Sequence, residues 1–226
     1  MAYSKLEKST ESFANMMKEF GVVTVMNAKV YEIDSTVKFS EKTAKDIRDA
    51  YIVKTAENGL LAKIDTLKVA NITVEGPSKT VTGGQYSNPL IKFGKTARLE
   101  MQDALGRADA IEAFGGAIVE YDTKTTKAMT GMHVGSDFAP ERLIIGESFF
   151  VGRENGQQVK VDIVFYQVLP DSIMNLTQDA EGDATVFDLN ADLLTTDILV
   201  GHDDDQNYTH GVFYSILPAY VAAPKQ

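Results

Sequence analysis

The stretch Ile91-Lys-Phe-Gly-Lys-Thr-Ala-Arg-Leu-Glu-Met-Gln102 alternates apolar and polar side chains along its length. Alternation with a period of two is typical of a strand with one buried face. The pattern then changes to helical spacing over residues 103–114 and stops at Gly115-Gly116, which predicts one short helix with a glycine end. A strand running into a lone helix is therefore the centre of the predicted fold.

Outward from this pair of elements, most of the chain beyond Gly59 is rich in β-branched and aromatic residues. The predicted fold class is mainly β, a β-sandwich or barrel-forming sheet, with the short helix packed on it and a helical N-terminal region. Further strands are predicted at residues 22–33, 63–74, 117–121, 142–151, 159–169, 185–189, 197–200 and 211–217. Helical patterns occupy residues 4–20 and 40–58.

The predicted strand 159–169 is apolar on both faces, because Ile163 and Phe165 alternate with Val164 and Tyr166. A strand of this kind is covered on both sides, either by a second sheet or by another subunit. We expect one domain overall, with residues 1–62 as an N-terminal arm and helical or strand extension and residues 63–226 as the β-sandwich.

Charge is distributed unevenly between the two halves of the chain. Residues 1–113 carry 16 Lys/Arg and 15 Asp/Glu, whereas residues 114–226 carry 6 and 17. An acidic surface of this kind repels nucleic acid. The residues predicted to form such an acidic surface are Asp179, Glu181, Asp183, Asp188 and Asp192.

Several classes of protein are excluded by composition. The chain has no cysteine, so disulfides, thiolate metal sites and cysteine nucleophiles are ruled out. No apolar run approaches the roughly 20 residues that span a bilayer, and residues 1–20 lack the pattern of a secretory signal. We expect no membrane partner and no cofactor.

Catalytic and metal motifs are incomplete. Gly94-Lys95-Thr96 lacks the earlier glycine of a phosphate loop, and Gly146-Glu147-Ser148 lacks the closing glycine of a nucleophile elbow. The acidic repeats around Asp179 and Asp188 lack the glycine and glutamate of calcium loops.

The remaining metal candidates are His202, Asp204 and His210, whose side chains are ligand types at close spacing. A solubilising surface turn is the simpler interpretation.

Residues 75–89 are predicted to form a long loop, since turn residues dominate them. Loops of that length are commonly functional or reach a neighbouring molecule. The candidate contact residues are Gly76, Pro77, Gly83, Gly84, Gln85, Asn88 and Pro89.

In the order of its predicted elements and in its residue pattern, the chain resembles the tail tube proteins of long-tailed bacteriophages. The resemblance is clearest over residues 92–117, where a long strand runs into the single helix. Residues 185–194, Thr-Val-Phe-Asp-Leu-Asn-Ala-Asp-Leu-Leu, also resemble a late strand of that family. The helix-like segment 40–58 has no place in the family pattern.

The resemblance implies a non-enzymatic virion protein, made in the host cytoplasm, whose sheets join those of its neighbours in hexameric rings stacked into a tube for DNA ejection. The implied partners are further copies of the chain, tail sheath or tail-terminator proteins, baseplate proteins, and phage DNA that passes without specific binding. On this interpretation the 75–89 loop contacts the next ring and the acids line the lumen.

Two other hypotheses stay open at this stage. One is a different virion protein, such as a capsid-decorating or tail-completion subunit, which would form closed trimers or a single ring. The other is a metal-dependent enzyme centred on residues 202–210.

Overall fold

The computed structural model describes residues 20–22, 25–54, 59–65, 67–76, 78–80, 90–92, 94–103, 107–122, 129–135, 137–152, 158–171, 187–201 and 207–220. Strands dominate this part of the chain. They are β1 (Phe20–Val22), β2 (Asn27–Glu32), β3 (Leu60–Ile64), β4 (Leu67–Glu75), β5 (Ser78–Thr80), β6 (Leu90–Lys92), β7 (Thr96–Asp103), β8 (Ala117–Tyr121), β9 (Met129–Val134), β10 (Arg142–Gly152), β11 (Gln158–Pro170), β12 (Phe187–Leu193), β13 (Thr196–Gly201), β14 (Asn207–Val212) and β15 (Tyr214–Pro218). The helices are α1 (Ala44–Lys54), α2 (Ala108–Gly115) and a 3-10 turn at Phe39–Glu41.

The mainly β fold class is confirmed. Nine strands form one antiparallel sheet in the order β3-β2-β10-β11-β12-β7-β4, with β1 paired to the far end of β10 and β15 paired to β11. Smaller ladders join β13 to β14, β5 to β6 and β8 to β9. The predicted N-terminal helix at residues 4–20 lies almost wholly outside the described residues, and Phe20 begins β1.

The long sheet curls, because its two terminal strands are neighbours in the chain. β3 pairs with β2 and β4 pairs with β7, yet only residues 65–66 separate β3 from β4. The prediction of a single strand over 63–74 is therefore wrong in one respect: these residues are divided between β3 and β4, which lie at opposite ends of the strand order.

The curled sheet encloses the main hydrophobic core. Alternate residues of β7 point into it, with Leu99 and Met101 almost fully buried, and β11 contributes Ile163 and Phe165. Helix α2 inserts Phe114 into the same core. Full burial of a side chain of this size stabilises the fold by about 2–3 kcal/mol.

Helix α2 ends where the sequence predicts. Gly116 is its C-terminal cap and has φ +65°, in the left-handed region that glycine favours. A Cβ there would overlap the carbonyl oxygen of Asp137, so other residues do not fit at this position.

A second core lies on the opposite face of β2, β10 and β11. Val164 and Tyr166 are fully buried there against Ile47 and Tyr51 of α1 and Ile198 of β13. The predicted cover on both faces of β11 is confirmed, but it is supplied by the same chain. Helix α1 and strand β13 thus cover this core, and a neighbouring subunit is not needed to bury the strand.

Local sequence signals account for the start of α1. Thr43 and Asp46 cap it reciprocally: the Asp46 N–H donates to Thr43 Oγ1 at 3.3 Å, and the Thr43 N–H donates to Asp46 Oδ2 at 3.4 Å. Lys42 and Thr43 also join α1 to β13, since the Leu199 N–H donates to the Lys42 carbonyl at 2.9 Å.

Other boundaries differ from prediction. The strand predicted at 22–33 is shorter, since β2 covers Asn27–Glu32 and β1 ends at Val22. The strand predicted at 211–217 is split between the end of β14 and β15. The alternating stretch 91–102 is likewise divided, since β6 ends at Lys92 and β7 begins at Thr96. Strand β9 was not predicted, because Met129–Val134 contains a central glycine and little alternation.

Candidate assembly surfaces

The first candidate surface is a hairpin arm formed by β4, β5, β6 and β7. β4 pairs with β7 from Leu67↔Asp103 to Glu75↔Thr96, and the pairing continues with a one-residue shift from Ser78↔Lys92 to Thr80↔Leu90. The β5–β6 part is a two-stranded ladder with no third strand among the described residues. It therefore extends beyond the main sheet as an arm.

The arm corrects the prediction of a loop over 75–89. Ser78–Thr80 is a strand rather than loop, because its backbone groups are paired with Leu90–Lys92. Gly76 is exposed beside Lys95. The other predicted contact residues, Pro77, Gly83, Gly84, Gln85, Asn88 and Pro89, lie outside the described residues.

The second candidate surface is the outer face of β4, β7 and β12, here called the acidic face. Its members are polar side chains that alternate with the core residues of the same strands. They are Asn71, Thr73, Glu75, Arg98, Glu100, Gln102, Asp188, Asn190 and Asp192. Four carboxylates and one guanidinium give this face a net negative charge.

Arg98 is surrounded by two carboxylates of the acidic face and by Asp171, which follows β11. Its guanidinium lies 2.7 Å from Asp171 Oδ2 and 3.0 Å from Asp192 Oδ1, and 3.6 Å from Glu100 Oε1. The hydrogen bond to Asp171 is the main cause that raises the pKa of Arg98 above its usual value. The same face holds Asp188, which accepts a hydrogen bond from Gln102 Nε2 at 3.0 Å.

Of the acids predicted from sequence, the structure brings Asp188 and Asp192 to the acidic face. Asp179, Glu181 and Asp183 lie outside the described residues. Glu75, Glu100 and Asp171 were not among the predicted acids, although the alternation of residues 91–102 places Glu100 on the polar side of its strand.

The predicted metal candidates are only partly described. His210 is exposed on β14, opposite Ile198 in the backbone register, and His202 and Asp204 lie outside the described residues. Among the residues that the structure describes, no three His, Asp or Glu side chains come together as a metal site would require.

The two catalytic-like triplets lie in settings that differ from their motifs. Gly146 and Ser148 lie within β10, where β11 and β2 pair alongside, whereas a nucleophile elbow lies at a strand-to-helix turn. A Cβ at Gly146 would lie 2.8 Å from Val25 Cγ1, so close packing explains this glycine. Lys95 precedes a strand rather than the helix of a phosphate loop.

A buried ion pair, also missed from sequence, connects α1 to β11 and to the end of β15. Arg48 Nη1 lies 3.3 Å from Asp162 Oδ2, with side-chain exposures of 6% and 7%. Arg48 also donates to the Pro218 carbonyl, and its guanidinium lies 5.6 Å from the ring centre of Tyr220. The Tyr220 N–H donates to Asp162 Oδ2 at 2.6 Å.

Electrostatics around this pair are dominated by burial. Burial raises the pKa of Asp162, and the Tyr220 N–H and Arg48 oppose that rise only in part. Burial also raises the pKa of Tyr31 and of Tyr166 to about 12 each. Both phenols are therefore neutral at physiological pH.

A cavity of about 300 Å³ lies next to the ion pair. Lys29, Glu147, Lys160, Asp162 and Tyr220 contribute to its wall. Burial acts to raise the pKa of Glu147, but hydrogen bonds from Lys29 at 3.0 Å and Asn27 at 3.3 Å outweigh it, and the pKa is lowered.

The third candidate surface is the β8–β9 hairpin, which exposes large apolar side chains. Ile118, Met129, Val134 and Phe138 at its flank are 64%, 55%, 56% and 65% exposed. Ile118 opposes His133 and Val134 opposes Ala117 in the backbone register, so these two side chains lie on opposite faces of the hairpin. Scattered exposed apolar residues of this kind are normal on a protein surface.

No known family model matches the sequence, and a search among curated proteins finds no chain similar to it. Within the described residues, neither helix has the length and apolar character needed to cross a bilayer.

Proposed function

We propose that this protein is a structural subunit of a phage tail tube, which polymerises as stacked rings into a conduit for DNA. The acidic face carries this proposal. It is a three-stranded sheet face that the chain leaves polar, with four carboxylates against one guanidinium. The proposal assigns this face to the lumen.

A lumen of this character suits the passage of DNA. Duplex DNA carries a high density of negative charge, and a protein binds it by neutralising phosphates with Lys and Arg. On the acidic face the one cation, Arg98, is already paired with Asp171 and Asp192. Phosphates would find no free cation among the described residues of that face, so DNA would slide past without being held.

The hairpin arm supports the second part of the proposal, which is assembly. The β5–β6 ladder has no third strand among the described residues, and exposed strand edges readily take up a strand from another chain. In the proposed tube the arm contacts the neighbouring ring. The proposal does not depend on burying β11, since α1 covers that strand within the chain.

Sedimentation velocity over a concentration series tests the assembly. The wild-type chain is expected to form large species as its concentration rises, whereas a variant lacking residues 80–87 is expected to stay folded and small. Large species formed by the deletion variant would show that the arm is not needed for assembly. An unfolded deletion variant would show that these residues belong to the core.

A further inference from the structure

The cavity of about 300 Å³ lies where the second core gives way to charged side chains. Its floor is the face of β2, β10 and β11 that also carries the second core, because Lys160 and Asp162 alternate along β11 in step with Val164 of that core. Ile52 of α1 and Tyr220, beyond the end of β15, also line the cavity. Pockets of this size and larger hold small organic ligands in other proteins.

Asp162 presents a buried hydrogen-bond acceptor to this cavity. Its side chain is 7% exposed. Arg48 Nη1 at 3.3 Å and the Tyr220 N–H at 2.6 Å both donate to the same oxygen, Oδ2, and no described residue donates to Oδ1. A buried carboxylate oxygen without a donor is costly. A ligand that supplies a donor to Oδ1 therefore binds favourably.

Lys160 supplies a charge of the opposite sign at the mouth of the cavity. It is exposed, its ammonium lies 5.8 Å from the ring centre of Phe149, and it forms no ion pair with a described carboxylate. Glu147 of the neighbouring strand has both carboxylate oxygens bonded to side chains of β2. Two groups at this cavity thus lack a partner among the described residues, the Asp162 Oδ1 acceptor and the Lys160 cation.

A ligand that satisfies both groups carries an ammonium and a carboxylate together. Lys160 and Asp162 are two residues apart on one face of β11, so their Cα atoms are roughly 6.5–7 Å apart. The ammonium and carboxylate of an α-amino acid are joined through one carbon and fit between two groups at this spacing. Met26, Ile52 and Phe149 in the cavity wall provide contacts for an apolar side chain of the ligand.

We propose that this cavity binds a small zwitterion of the amino-acid class that has an apolar side chain. Its ammonium donates to Asp162 and its carboxylate accepts from Lys160. The described wall belongs to a single chain, so the site goes beyond the proposed function and does not depend on assembly.

Three molecules of nearly the same shape separate the two contacts. L-Phenylalanine carries both charges, phenethylamine lacks the carboxylate, and 3-phenylpropanoate lacks the ammonium. Saturation-transfer NMR observes the small molecule, so the full chain can be titrated whether it is monomeric or assembled. L-Phenylalanine is expected to bind at least about tenfold more tightly than either analogue, because each analogue loses one charge-assisted hydrogen bond.

Two variants assign the contacts to residues. In Lys160→Met, L-phenylalanine and phenethylamine are expected to bind equally, whereas 3-phenylpropanoate stays weaker. In Asp162→Asn, the preference of L-phenylalanine over 3-phenylpropanoate is expected to shrink. Lys38→Met, whose lysine side chain is 70% exposed on the 3-10 turn, makes the same change in charge as Lys160→Met and is expected to bind like wild type.

Circular dichroism confirms that each variant is folded. Asp162→Asn removes a partner of the buried Arg48 guanidinium, and the exposed Lys160→Met keeps the test decisive if that variant does not fold.

Three results would overturn the zwitterion site. They are a wild-type chain that binds none of the three molecules at millimolar concentration, a wild-type chain that binds all three equally, and a Lys160→Met variant that keeps the preference for L-phenylalanine over phenethylamine. Tighter binding of either analogue than of L-phenylalanine would also overturn it and would assign the cavity to an organic cation or an organic anion. None of these results bears on the proposed function, which is tested by assembly.

Discussion

Replacing Arg48 with Met leaves the Asp162 carboxylate buried without its cation. The Asp162 side chain is 7% exposed, and the Tyr220 N–H would still donate a hydrogen bond to it. Breaking a buried pair by removing one member costs about 3–5 kcal/mol. We expect Arg48→Met to lower the free energy of unfolding by this amount.

The double variant Arg48→Met/Asp162→Leu distinguishes an uncompensated charge from lost packing. Replacing both members of a buried pair with apolar residues of similar volume is often close to neutral. We therefore expect the double variant to be markedly more stable than Arg48→Met alone. Urea unfolding followed by far-UV circular dichroism measures both, since the chain has no tryptophan to report fluorescence.

The same pair predicts a pH dependence with a definite sign. The folded pKa of Asp162 is raised above its ordinary 3.8, so the folded state binds the proton more tightly than the unfolded state. The contribution of Asp162 to the stability of the fold is favourable below pH 3.8. It is lost as the pH rises through the raised pKa that Asp162 has in the folded state. The cost of Arg48→Met is thus expected to be largest at neutral pH and to shrink as Asp162 is protonated.

Two results would refute this account of the ion pair. One is an Arg48→Met variant within about 1 kcal/mol of wild type at neutral pH, which would mean that solvent compensates the charge. The other is a double variant as unstable as the single one. That result would mean that the lost stability comes from packing of the Arg48 side chain against Tyr220.

Further predictions concern the core, the helix cap and the acidic face. Phe114→Ala is expected to cost about 3–5 kcal/mol in urea unfolding, because it empties the centre of the main core; a cost below about 1 kcal/mol would show that the site collapses. Gly116→Ala is expected to cost about 1–3 kcal/mol through its positive φ and the close Asp137 carbonyl, whereas Gly94→Ala, which would meet nothing within 4 Å, is the control. Asp188→Lys/Asp192→Lys is expected to retain duplex DNA at low salt in a mobility-shift assay and release it as salt rises. Glu41→Lys/Asp197→Lys makes the same change in net charge elsewhere, and equal DNA binding by both variants would remove the special role of the acidic face.

The elements that could be predicted from sequence are those with local signals. The alternation around Leu99 and Met101 identifies the buried face of β7, and Gly115-Gly116 fixes the end of α2. Both depend on contacts within a few residues. The cap formed by Thr43 and Asp46 is an equally local signal, and it starts α1 at Ala44, four residues after the start of the predicted helical pattern.

The features that sequence did not reveal depend on distant pairing. Arg48 and Asp162 are 114 residues apart, and nothing in either segment indicates that they meet. The division between β3 and β4 could not be predicted for the same reason, since it follows from the two strands pairing with different partners. The apolar character of both faces of β11 was read correctly, but the identity of its cover depended on where α1 packs.

Electron micrographs of the concentrated, pure protein test the central claim most directly. The account predicts hollow tubes with a regular axial repeat, formed by stacked rings without any other protein. Closed trimers or single rings would instead favour a different virion component, and dispersed monomers at the highest concentration would contradict assembly altogether.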